Sequence, residues 1–347
     1  MAIIWKTLTD IDQLALIRTE WDELNQKHNN GCLFTSPEWL LNWVNIYWQD
    51  GWVLYSFAAY KENKLVSLLP FYYQESAGIF KRQHLFLIGQ GEDEQAEVSS
   101  EYLDVLIDDN YSEQSLGYCR KKLSQINLDS FSARAVIKTA NILKAISPAY
   151  YSLCGIQYQI TTNHWKIAQL SKNTRTKIKR TTKQLKSNNA QFIWVADEDK
   201  LSYWDKMSQF HQKRWLKKNY TGAFSQDEFH NFHRNLINDS TNTAMSALTI
   251  NNQVVAINYY LKDDDHYYFY QSGWDEEKFN NLSPGFALHI WSIENSTAPI
   301  YDFMMGDSSD SYKLKFNCSN HELYEISVQY KPVKRMLLKL LQKIFSN

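Results

Sequence analysis

Hydrophobic and polar positions along the chain switch between a period of two and a period near 3.6, and each switch predicts a boundary between elements. Residues 3–8 alternate as a strand, and a helical period then runs from Asp10, a good N-cap, to about residue 27. A second helix is predicted from Ser36, followed by Pro37 at the first helical position, to about Trp48. Further predicted elements of this half are strands at residues 80–88 and 102–107, a helix at 112–124, and a strand and helix reaching Pro148.

Two pairs of apolar runs joined by a polar turn predict hairpins, WVLYSFAAY-KEN-KLVSLLPFYY in the first half and AMSALTI-NNQ-VVAINYYLK in the second. When Asn63 is aligned with Asn252, Val66 falls opposite Val255. One aligned turn is weak support for a duplication. Each half nevertheless runs from helices to a hairpin, a strand and a helix, which favours two related units.

An aromatic, alternating run at residues 267–270 predicts a strand, and the segment that follows Ser283 has the period of a helix. Ser283 is interpreted as the N-cap and Pro284 as the first helical residue. Gly285 then falls in the first turn, where glycine weakens a helix. Close approach of an anionic ligand to the free N–H groups would explain that glycine. An ordinary capped helix with an incidental glycine would explain it as well.

A second strand-to-helix junction follows in IYDFMMGDSSDSYKLKF, residues 300–316. The strand ends before Asp307, and a helix predicted from Asp310 carries Tyr312 and Lys313. Two neighbouring strands that end beside helix starts form a crevice of the kind where α/β folds bind ligands. The Tyr312 hydroxyl could protonate a leaving thiolate there. The alternatives are an exposed helix residue for Tyr312 and a turn residue for Asp307.

Other polar residues have less specific patterns. His211 and Arg214 lie within about one turn of a predicted helix, where His211 is either a base, a substrate contact or a structural residue. The polar loop at residues 89–104 resembles a binding loop and ends at Glu101 and Asp104. These two carboxylates have opposite phases of a two-residue repeat, so only one is expected to face inward.

Two segments are strongly basic although the net charge of the chain is only −1. Residues 166–186 hold eight Lys and Arg and no acid, which suits contact with the phosphates of a nucleic acid, a cofactor or lipids, or a solvated helix face. Residues 333–345 form a basic amphipathic pattern that could dock on a membrane or pack on its own domain.

Composition sets broad limits. The 347 residues, 44% hydrophobic and 22% charged, suit a globular protein of two domains of common size or of one large domain. The cysteines show no metal-ligand spacing, so we expect reduced thiols and no metal; they are Cys32, Cys119, Cys154 and Cys318. The start of the chain lacks a signal-peptide pattern, and no apolar run approaches the ~20 residues of a membrane span. A cytoplasmic protein is expected, with peripheral contact at the inner face of the membrane left open.

The order of segments in the second half resembles the CelD/BcsL-like acetyltransferase domain of the GNAT superfamily, which is related to the Fem aminoacyltransferases. The resemblance rests on the SPG helix start and on an xDFxxG(D/E)xxYK block about twenty residues later. Here an insertion places five residues between Gly306 and Tyr312. The match covers roughly residues 165–317, and FTSPEWLLNW and LLPFYY extend it weakly into the first half.

The resemblance implies an α/β fold of two tandem GNAT-like units, each with a mixed central sheet flanked by helices. Residues 1–160 would form an acceptor-side unit, 161–330 the donor unit and 331–347 an amphipathic helix. It implies acyl-CoA, such as acetyl-CoA, as co-substrate, with its pyrophosphate on backbone N–H groups at the Pro284 helix. The expected donor-binding residues are Gln271, Ser272, Gly273, Ser283, Pro284, Gly285, Phe286 and Ala287.

The predicted reaction is direct transfer of the acyl group to an amine or hydroxyl of a sugar or a cell-envelope or exopolysaccharide precursor. Tyr312 would be the acid, and Asp307, or else His211 or Glu101, the base. The residues expected to bind the acceptor are Arg214, Lys313, Trp39 and Asp104. Two alternatives stay open: transfer from aminoacyl-tRNA, as in the Fem proteins, and a non-catalytic GNAT-like module that binds a glycan or a membrane.

Overall fold

The computed structural model describes residues 2–76, 81–217, 222–239, 241–306 and 312–330. The chain forms two compact units. Unit 1 comprises Met1–Glu92, Ser99–Cys154 and the chain from Glu322 on. Unit 2 comprises Gly155–His321 and the short segment Asp93–Val98, which belongs to the second unit despite its place in the chain.

Unit 1 has five described helices, α1 (Ile11–Leu16), α2 (Arg18–Lys27), α3 (Pro37–Tyr47), α4 (Ser112–Ser124) and α5 (Asn141–Ala145). Its strands are β1 (Ile4–Leu8), β2 (Val53–Leu54), β3 (Ser56–Lys61), β4 (Lys64–Leu69), β5 (Phe71–Glu75), β6 (Gln83–Leu87), β7 (Leu106–Ile107), β8 (Ser130–Ile137) and β15 (Ser319–Gln329) from Glu322 on. The order β1-β3-β4-β7 makes an antiparallel sheet. The order β15-β8-β6-β5-β2 makes a mixed one, in which β6 and β8 are parallel.

Unit 2 has helices α6 (Lys172–Ser187), α7 (Lys200–Leu216), α8 (Asp227–Asp239), α9 (Glu276–Phe279) and α10 (Pro284–Glu294). Its strands are β9 (Tyr151–Thr161) from Gly155 on, β10 (Ala190–Trp194), β11 (Thr243–Ile250), β12 (Gln253–Lys262), β13 (His266–Trp274) and β14 (Ile300–Gly306). The order is β10-β11-β12-β13-β14-β9, and only the pair β13–β14 is parallel. The predicted class, α/β with mixed sheets flanked by helices, is confirmed.

Side chains of β12 alternate between two helix layers, as the period of a strand requires. The Tyr259 ring meets His233 of α8, whereas Ser246 beside Tyr260 hydrogen-bonds Ser292 of α10. The sheet of unit 2 is therefore covered by α8 on one face and by α10 on the other.

The two predicted hairpins share their backbone geometry. Each turn has two consecutive residues in the left-handed region: Asn63 and the residue before it in the first turn, and Asn252 and the residue before it in the second. Asparagine tolerates this conformation, which two-residue hairpin turns need. The register then skips one residue in each hairpin, Val66 in β4 and Val255 in β12. The two hairpins, which lie 189 residues apart in the sequence, therefore share the conformation of the turn and the position of the bulge.

Two predicted elements differ from the structure, and two others fall partly or wholly outside the described residues. The helix from Asp10 is interrupted at Ile17, which ends α1 and precedes α2. The strand expected at residues 102–107 is reduced to β7, because Tyr102 has a φ of 63°. The helix expected from Asp310 is described only from Tyr312, as a 3₁₀ helix ending at Phe316. The basic tail at residues 333–345 lies outside the described residues.

Candidate functional site

Strands β13 and β14 separate after a short common stretch. They pair over three positions, from His266 opposite Ile300 to Tyr268 opposite Asp302, and no pair follows. Residues 269–274 of β13 and 303–306 of β14 thus form the two arms of an opening, here called the fork. Strands that stop pairing expose backbone N–H and C=O groups, which is how a sheet can accept an extended ligand.

Irregular backbone on both strands produces this separation. In β13, Tyr270 is an extra residue relative to β12, and such a bulge bends its strand. In β14, the register with β9 breaks between Asp302 and Met305, and Met304 has a φ of 59°. A left-handed conformation at a non-glycine residue costs of order 1 kcal/mol or more, so surrounding contacts must hold it in place.

Asp302 is one of those contacts. Its carboxylate is fully buried and accepts hydrogen bonds from Met304 N at 2.6 Å, Gln157 Nε2 at 2.6 Å and Gln159 Nε2 at 3.0 Å. Burial raises the pKa of this carboxyl group against the effect of these donors. The side chain ties the irregular turn of β14 to β9. The sequence analysis assigned no role to Asp302, although this residue is the Asp of the xDFxxG(D/E)xxYK block.

Lys313 supports the same arm. Its buried ammonium lies 2.7 Å from the carbonyl oxygen of Phe303, 3.2 Å from that of Met304 and 2.7 Å from that of Met305. An ammonium has three donors, and three consecutive carbonyls of β14 engage them. Lys313 therefore supports the arm of the fork, and the acceptor-binding role expected from the sequence stays a prediction.

Helix α10 begins at Pro284, as predicted, but without the predicted cap. Ser283 has a φ of 47°, and its side chain makes no capping hydrogen bond. The N–H of Ala287 bonds to the Ser283 carbonyl at 3.1 Å. Among the described residues, no acceptor meets the N–H groups of Gly285 and Phe286. The helix start therefore offers two free donors beside the positive end of the helix dipole.

The two glycines predicted to bind the donor differ in what surrounds them. A Cβ added at Gly273 would lie 2.7 Å from the carbonyl oxygen of Met207 in α7, so this glycine is required by close helix packing. A Cβ at Gly285 would meet only a ring carbon of Trp274, at an ordinary 3.8 Å. The described structure thus gives no internal reason for the glycine in the first turn of α10, where it costs about 1 kcal/mol relative to alanine.

Positive charge gathers near this helix start. The Lys177 ammonium of α6 lies 4.5 Å from the centre of the Phe286 ring. Burial lowers the pKa of Lys177, and so do the nearby charges of Lys315 and Arg180. Within the described ranges, none of these three cations has a carboxylate partner. An anion at the helix start would find free amides and uncompensated cations together.

Aromatic rings fill the space beside the closed end of the fork. The His289 ring of α10 packs on Phe269 at 4.4 Å and on Phe303 at 5.1 Å, the first unpaired residue of each arm. Its Nδ1 lies 2.8 Å from the Tyr301 hydroxyl. Sequence reasoning missed His289, whose only signal was a polar residue within an apolar helix.

Tyr312, the predicted acid, is at this end of the fork. Its ring centre lies 6.2 Å from that of His289 and 6.4 Å from that of Phe303, and 45% of the residue is exposed. Partial burial raises the pKa of the phenol, so the hydroxyl keeps its proton at neutral pH. Tyr312 can therefore donate a proton to a group bound in the fork.

The other predicted residues of unit 2 have identified surroundings. Burial, with the charge of Arg214 adding to it, lowers the pKa of His211 to about 4, and the His211 ring packs on Phe224 at 4.5 Å. Arg214 lies over the Trp274 ring at 4.5 Å, and its Nε is 3.2 Å from the Glu276 carboxylate. Arg214 is thus engaged by an acid of its own unit.

Three residues predicted to bind the donor lie on β13 or at the start of α10: Gln271, Ser272 and Ala287. Gln271 Oε1 accepts a hydrogen bond from the N–H of Ser272 at 2.9 Å. Ala287 uses its N–H within the helix start. Asp307 lies outside the described residues. Gln271 and Ser272 therefore line the β13 arm, while the predicted base Asp307 stays a prediction.

The remaining predicted residues, Trp39, Glu101 and Asp104, are buried in unit 1. Trp39 Nε1 donates to Ser100 Oγ at 2.8 Å. The Asp104 carboxylate accepts from the N–H groups of Asn141 and Ile142, both at 2.8 Å, and so caps α5. Burial raises the pKa of Asp104 to about 6. These hydrogen bonds of Trp39 and Asp104 lie within unit 1, and the acceptor contacts expected of the two residues stay predictions.

Comparisons with known proteins agree with this arrangement. Residues 172–314 match the family described as acetyltransferase (GNAT) domain. The crystal structure of FemX superposes with a TM-score of 0.63 at 10% identity, over 97% of this chain and 99% of that one. A conserved protein of unknown function from Bacteroides thetaiotaomicron VPI-5482 gives 0.51 at 12% identity, over 94% and 100%. A comparison with curated proteins finds no match.

A third solved structure is the C-terminal domain (DUF2156) of a putative lysylphosphatidylglycerol synthetase from Agrobacterium fabrum. Its TM-score is 0.51 at 8% identity, over 95% of this chain and 97% of that one. Identities this low show a shared fold and nothing about substrates. Residues 172–314 are therefore similar to the GNAT acetyltransferase domain family, and over most of its length the chain has the fold of FemX. The finer resemblance to the CelD/BcsL-like family stays a prediction.

No group of three His, Cys, Asp or Glu side chains within the described residues could hold a metal ion. None of the helices that the structure describes is long and apolar enough to span a membrane.

Proposed function

We propose that the protein is an acyltransferase that moves an acyl group from a CoA thioester to an amine or hydroxyl group. One observation carries this proposal: the fork between β13 and β14 lies in the same domain as a helix start whose Gly285 and Phe286 amides are free. A strand pair that opens beside such a helix can hold an extended donor with its phosphates at one end. The match of residues 172–314 to the GNAT acetyltransferase domain supports the same reading.

The donor would be held mainly by charge and by the backbone. Its pyrophosphate would accept hydrogen bonds from the amides of Gly285 and Phe286. The cations Lys177, Arg180 and Lys315 would meet the remaining phosphate, because their mutual repulsion falls when an anion binds. A side chain at position 285 would reduce this approach, which gives the glycine a function that the described packing does not.

The thioester would lie between the arms of the fork. The acceptor attacks the carbonyl carbon directly, the C–S bond breaks, and the new C–N or C–O bond forms without a covalent enzyme intermediate. Backbone N–H groups on the uncovered edge of β13 would stabilise the oxyanion. Tyr312 would give its proton to the leaving thiolate.

The proton lost by the acceptor requires a base. We keep Asp307 as the first candidate, with His211 and Glu101 behind it. At neutral pH His211 is unprotonated and could accept a proton. The acceptor itself, a sugar or a cell-envelope or exopolysaccharide precursor met in the cytoplasm, is proposed from the family resemblance alone.

Calorimetric titration with acetyl-CoA and longer acyl-CoAs tests the donor. We expect micromolar binding that weakens about tenfold or more in Gly285→Val, since the added methyl groups would stand between amide and phosphate. Gly117→Val is a matched control, because Gly117 lies in helix α4 with nothing within 4 Å of an added Cβ. Absence of binding to every thioester, with unchanged fold, would contradict the proposal and favour a non-catalytic binding module.

Helix α6 favours a second candidate function, transfer from aminoacyl-tRNA as the resemblance to the Fem proteins implies. Thr174, Ile178, Thr181 and Leu185 are buried, and the rest of the helix exposes a row of cations: Lys172, Arg175, Lys179, Arg180, Lys183 and Lys186. Within the described part of the chain no acid pairs with them.

Filter binding with tRNA at several salt concentrations distinguishes the two functions. If α6 contacts RNA, changing Lys179, Lys183 and Lys186 to Gln should weaken tRNA binding. The slope of its affinity against salt concentration should fall by the contribution of up to about three phosphate contacts. Acyl-CoA affinity should not change in this variant. If tRNA does not bind, or binds the wild type and the variant equally well, the second candidate function is contradicted.

A further inference from the structure

Unit 1 contains its own pair of parallel strands that separate after a short common stretch. Strands β6 and β8 pair over two positions, from His84 opposite Ser130 to Leu85 opposite Phe131. Between these strands the chain passes through helix α4, as it passes through α10 between β13 and β14. Each unit therefore has one parallel pair that opens, and the two pairs can be compared position by position.

The strand registers place the opening in unit 1 at the position that corresponds to the fork. In the alignment of the two hairpins, Tyr73 of β5 corresponds to Lys262 of β12. Each of these residues leads to an antiparallel partner and then to a parallel one; the two series are Tyr73, Leu85 and Phe131 in unit 1 and Lys262, Tyr267 and Tyr301 in unit 2. Pairing ends at Phe131 in the first series and one residue after Tyr301 in the second. We call the separated stretches, residues 86–87 of β6 and 132–137 of β8, the second fork.

The side chain of Gln90 spans the second fork. Its Oε1 accepts a hydrogen bond from the N–H of Arg134 at 3.0 Å, and its Nε2 donates to the carbonyl oxygens of Arg134 and Ser100, both at 2.8 Å. Arg134 belongs to β8, and the registers of β8 with β6 and with β15 pass over it. A neighbouring strand would offer such a residue one carbonyl and one N–H group. The carboxamide of Gln90 offers the same two groups.

The backbone on both sides of Gln90 directs this side chain. Gly89 and Gly91 have φ values of 104° and 102°, which residues with a side chain rarely adopt. The Tyr72 hydroxyl donates to the carbonyl oxygen of Gln90 at 2.6 Å, and Gln74 Nε2 donates to that of Gly91 at 2.6 Å. Gln90 itself is only 9% exposed. The Gly-Gln-Gly sequence at the start of the polar loop thus holds a buried carboxamide in a fixed position.

The end of the same loop covers the next residue of the β8 arm. The N–H of Tyr102 donates to the carbonyl oxygen of Ala135 at 2.8 Å. Ala135 has a φ of 56°, close to the 59° of Met304 in the β14 arm. The two arms therefore share a left-handed residue near the opening. In unit 1, backbone groups of two consecutive arm residues are already bonded by the loop at residues 89–104.

We infer that the second fork is a binding site for an amide group which the chain fills from within, and that unit 1 consequently takes no donor. Gln90 stands where an amide of an extended ligand would pair with the β8 edge. The chain then binds one acyl-CoA, in unit 2. The count of acyl-CoA molecules rests on the proposed function, whereas the occupation of the second fork by Gln90 does not.

The variant Gln90→Ala tests the occupied site, because it removes a group with the size and chemistry of acetamide. We expect the Tm to fall by about 5–10 °C, since three buried backbone groups of Arg134 and Ser100 lose their partner. Acetamide at about 0.2 M should then raise the Tm of this variant by about 1–3 °C. Acetate should not, because the two carbonyl oxygens need a donor.

Gln49→Ala is the matched control, since Gln49 is an exposed glutamine of the same unit. Its Tm should match that of the wild type and respond to acetamide no more than the wild type does. If Gln90→Ala is as stable as this control, or if acetamide shifts both variants equally, Gln90 does not fill an amide site and the inference is wrong.

Calorimetry with the unmodified full-length protein counts the donor sites. We expect one acyl-CoA per chain, in a single transition whose affinity falls in Gly285→Val. Two sites per chain, or a site that Gly285→Val leaves unchanged, would overturn the inference while the proposed function stands. If no acyl-CoA binds, the proposed function fails, and the comparison of Gln90→Ala with Gln49→Ala still decides whether Gln90 fills the second fork.

Discussion

Replacing Lys313 by Met tests the support of the fork. Methionine keeps the length of the stem and removes the ammonium, so the carbonyls of Phe303, Met304 and Met305 lose their common donor. Because Met304 has a φ of 59°, the arm is unfavourable without such contacts. We expect the β14 arm to relax and the fork to change its width.

The magnitude follows from the three contacts. A hydrogen bond to a charged group contributes about 1.5–3 kcal/mol, but bonds that share one ammonium are not additive. Burying that ammonium also costs several kcal/mol, which offsets part of the gain. We expect a net loss of about 3 kcal/mol in the free energy of unfolding, or roughly 6–12 °C in Tm for a unit of this size.

Thermal unfolding by circular dichroism measures this loss, and calorimetry with acetyl-CoA measures the accompanying loss of donor affinity. Lys315→Met is the matched control for stability, since Lys315 lies in the same short helix and is exposed. A Tm for Lys313→Met within about 1 °C of that control would refute the reasoning. If Lys313→Met lowers the Tm but leaves the affinity for acetyl-CoA unchanged, Lys313 stabilises β14 without affecting donor binding in the fork.

Two further predictions concern stability. Gly273→Ala should destabilise the protein by about 1–3 kcal/mol, because the new Cβ would lie 2.7 Å from the Met207 carbonyl, whereas Gly285→Ala should leave Tm unchanged or raise it. Burial, with Lys313 adding to it, lowers the pKa of His289 from 6.5 to about 3. The unfolded chain therefore binds a proton that the folded chain excludes between these pH values, and stability should fall with decreasing pH by about 1.4 kcal/mol per unit. Urea unfolding measured from pH 7 to 4 should show that the free energy of unfolding falls less steeply in His289→Phe than in the wild type. Equal slopes in the two proteins would contradict the lowered pKa of His289.

Local chemistry explains which features were predictable from the sequence. The turns at Asn63 and Asn252 need left-handed residues, and asparagine adopts that conformation, so both hairpins were found. The starts of α3 and α10 follow from proline at the first helical position, Pro37 and Pro284. These signals act within a few residues, and a pattern along the chain contains them.

Contacts between distant segments explain what was missed. Gly273 and Gly285 look alike in the sequence, and only the position of α7 distinguishes a packing glycine from an open one. Lys313 and Asp104 are predicted substrate contacts because they are charged residues in or beside candidate loops, and their backbone contacts were not predicted. In the fold each has backbone partners, which no spacing in the sequence specifies.

The central claim is that the amides at the start of α10 bind the phosphates of a CoA donor. Selective ¹⁵N labelling of glycine and phenylalanine, followed by NMR during titration with CoA, observes Gly285 and Phe286 directly. Both resonances should move downfield together, saturably, and at the concentration where calorimetry detects binding. If CoA binds while both resonances stay in place, the phosphates lie elsewhere and this account of the site is wrong.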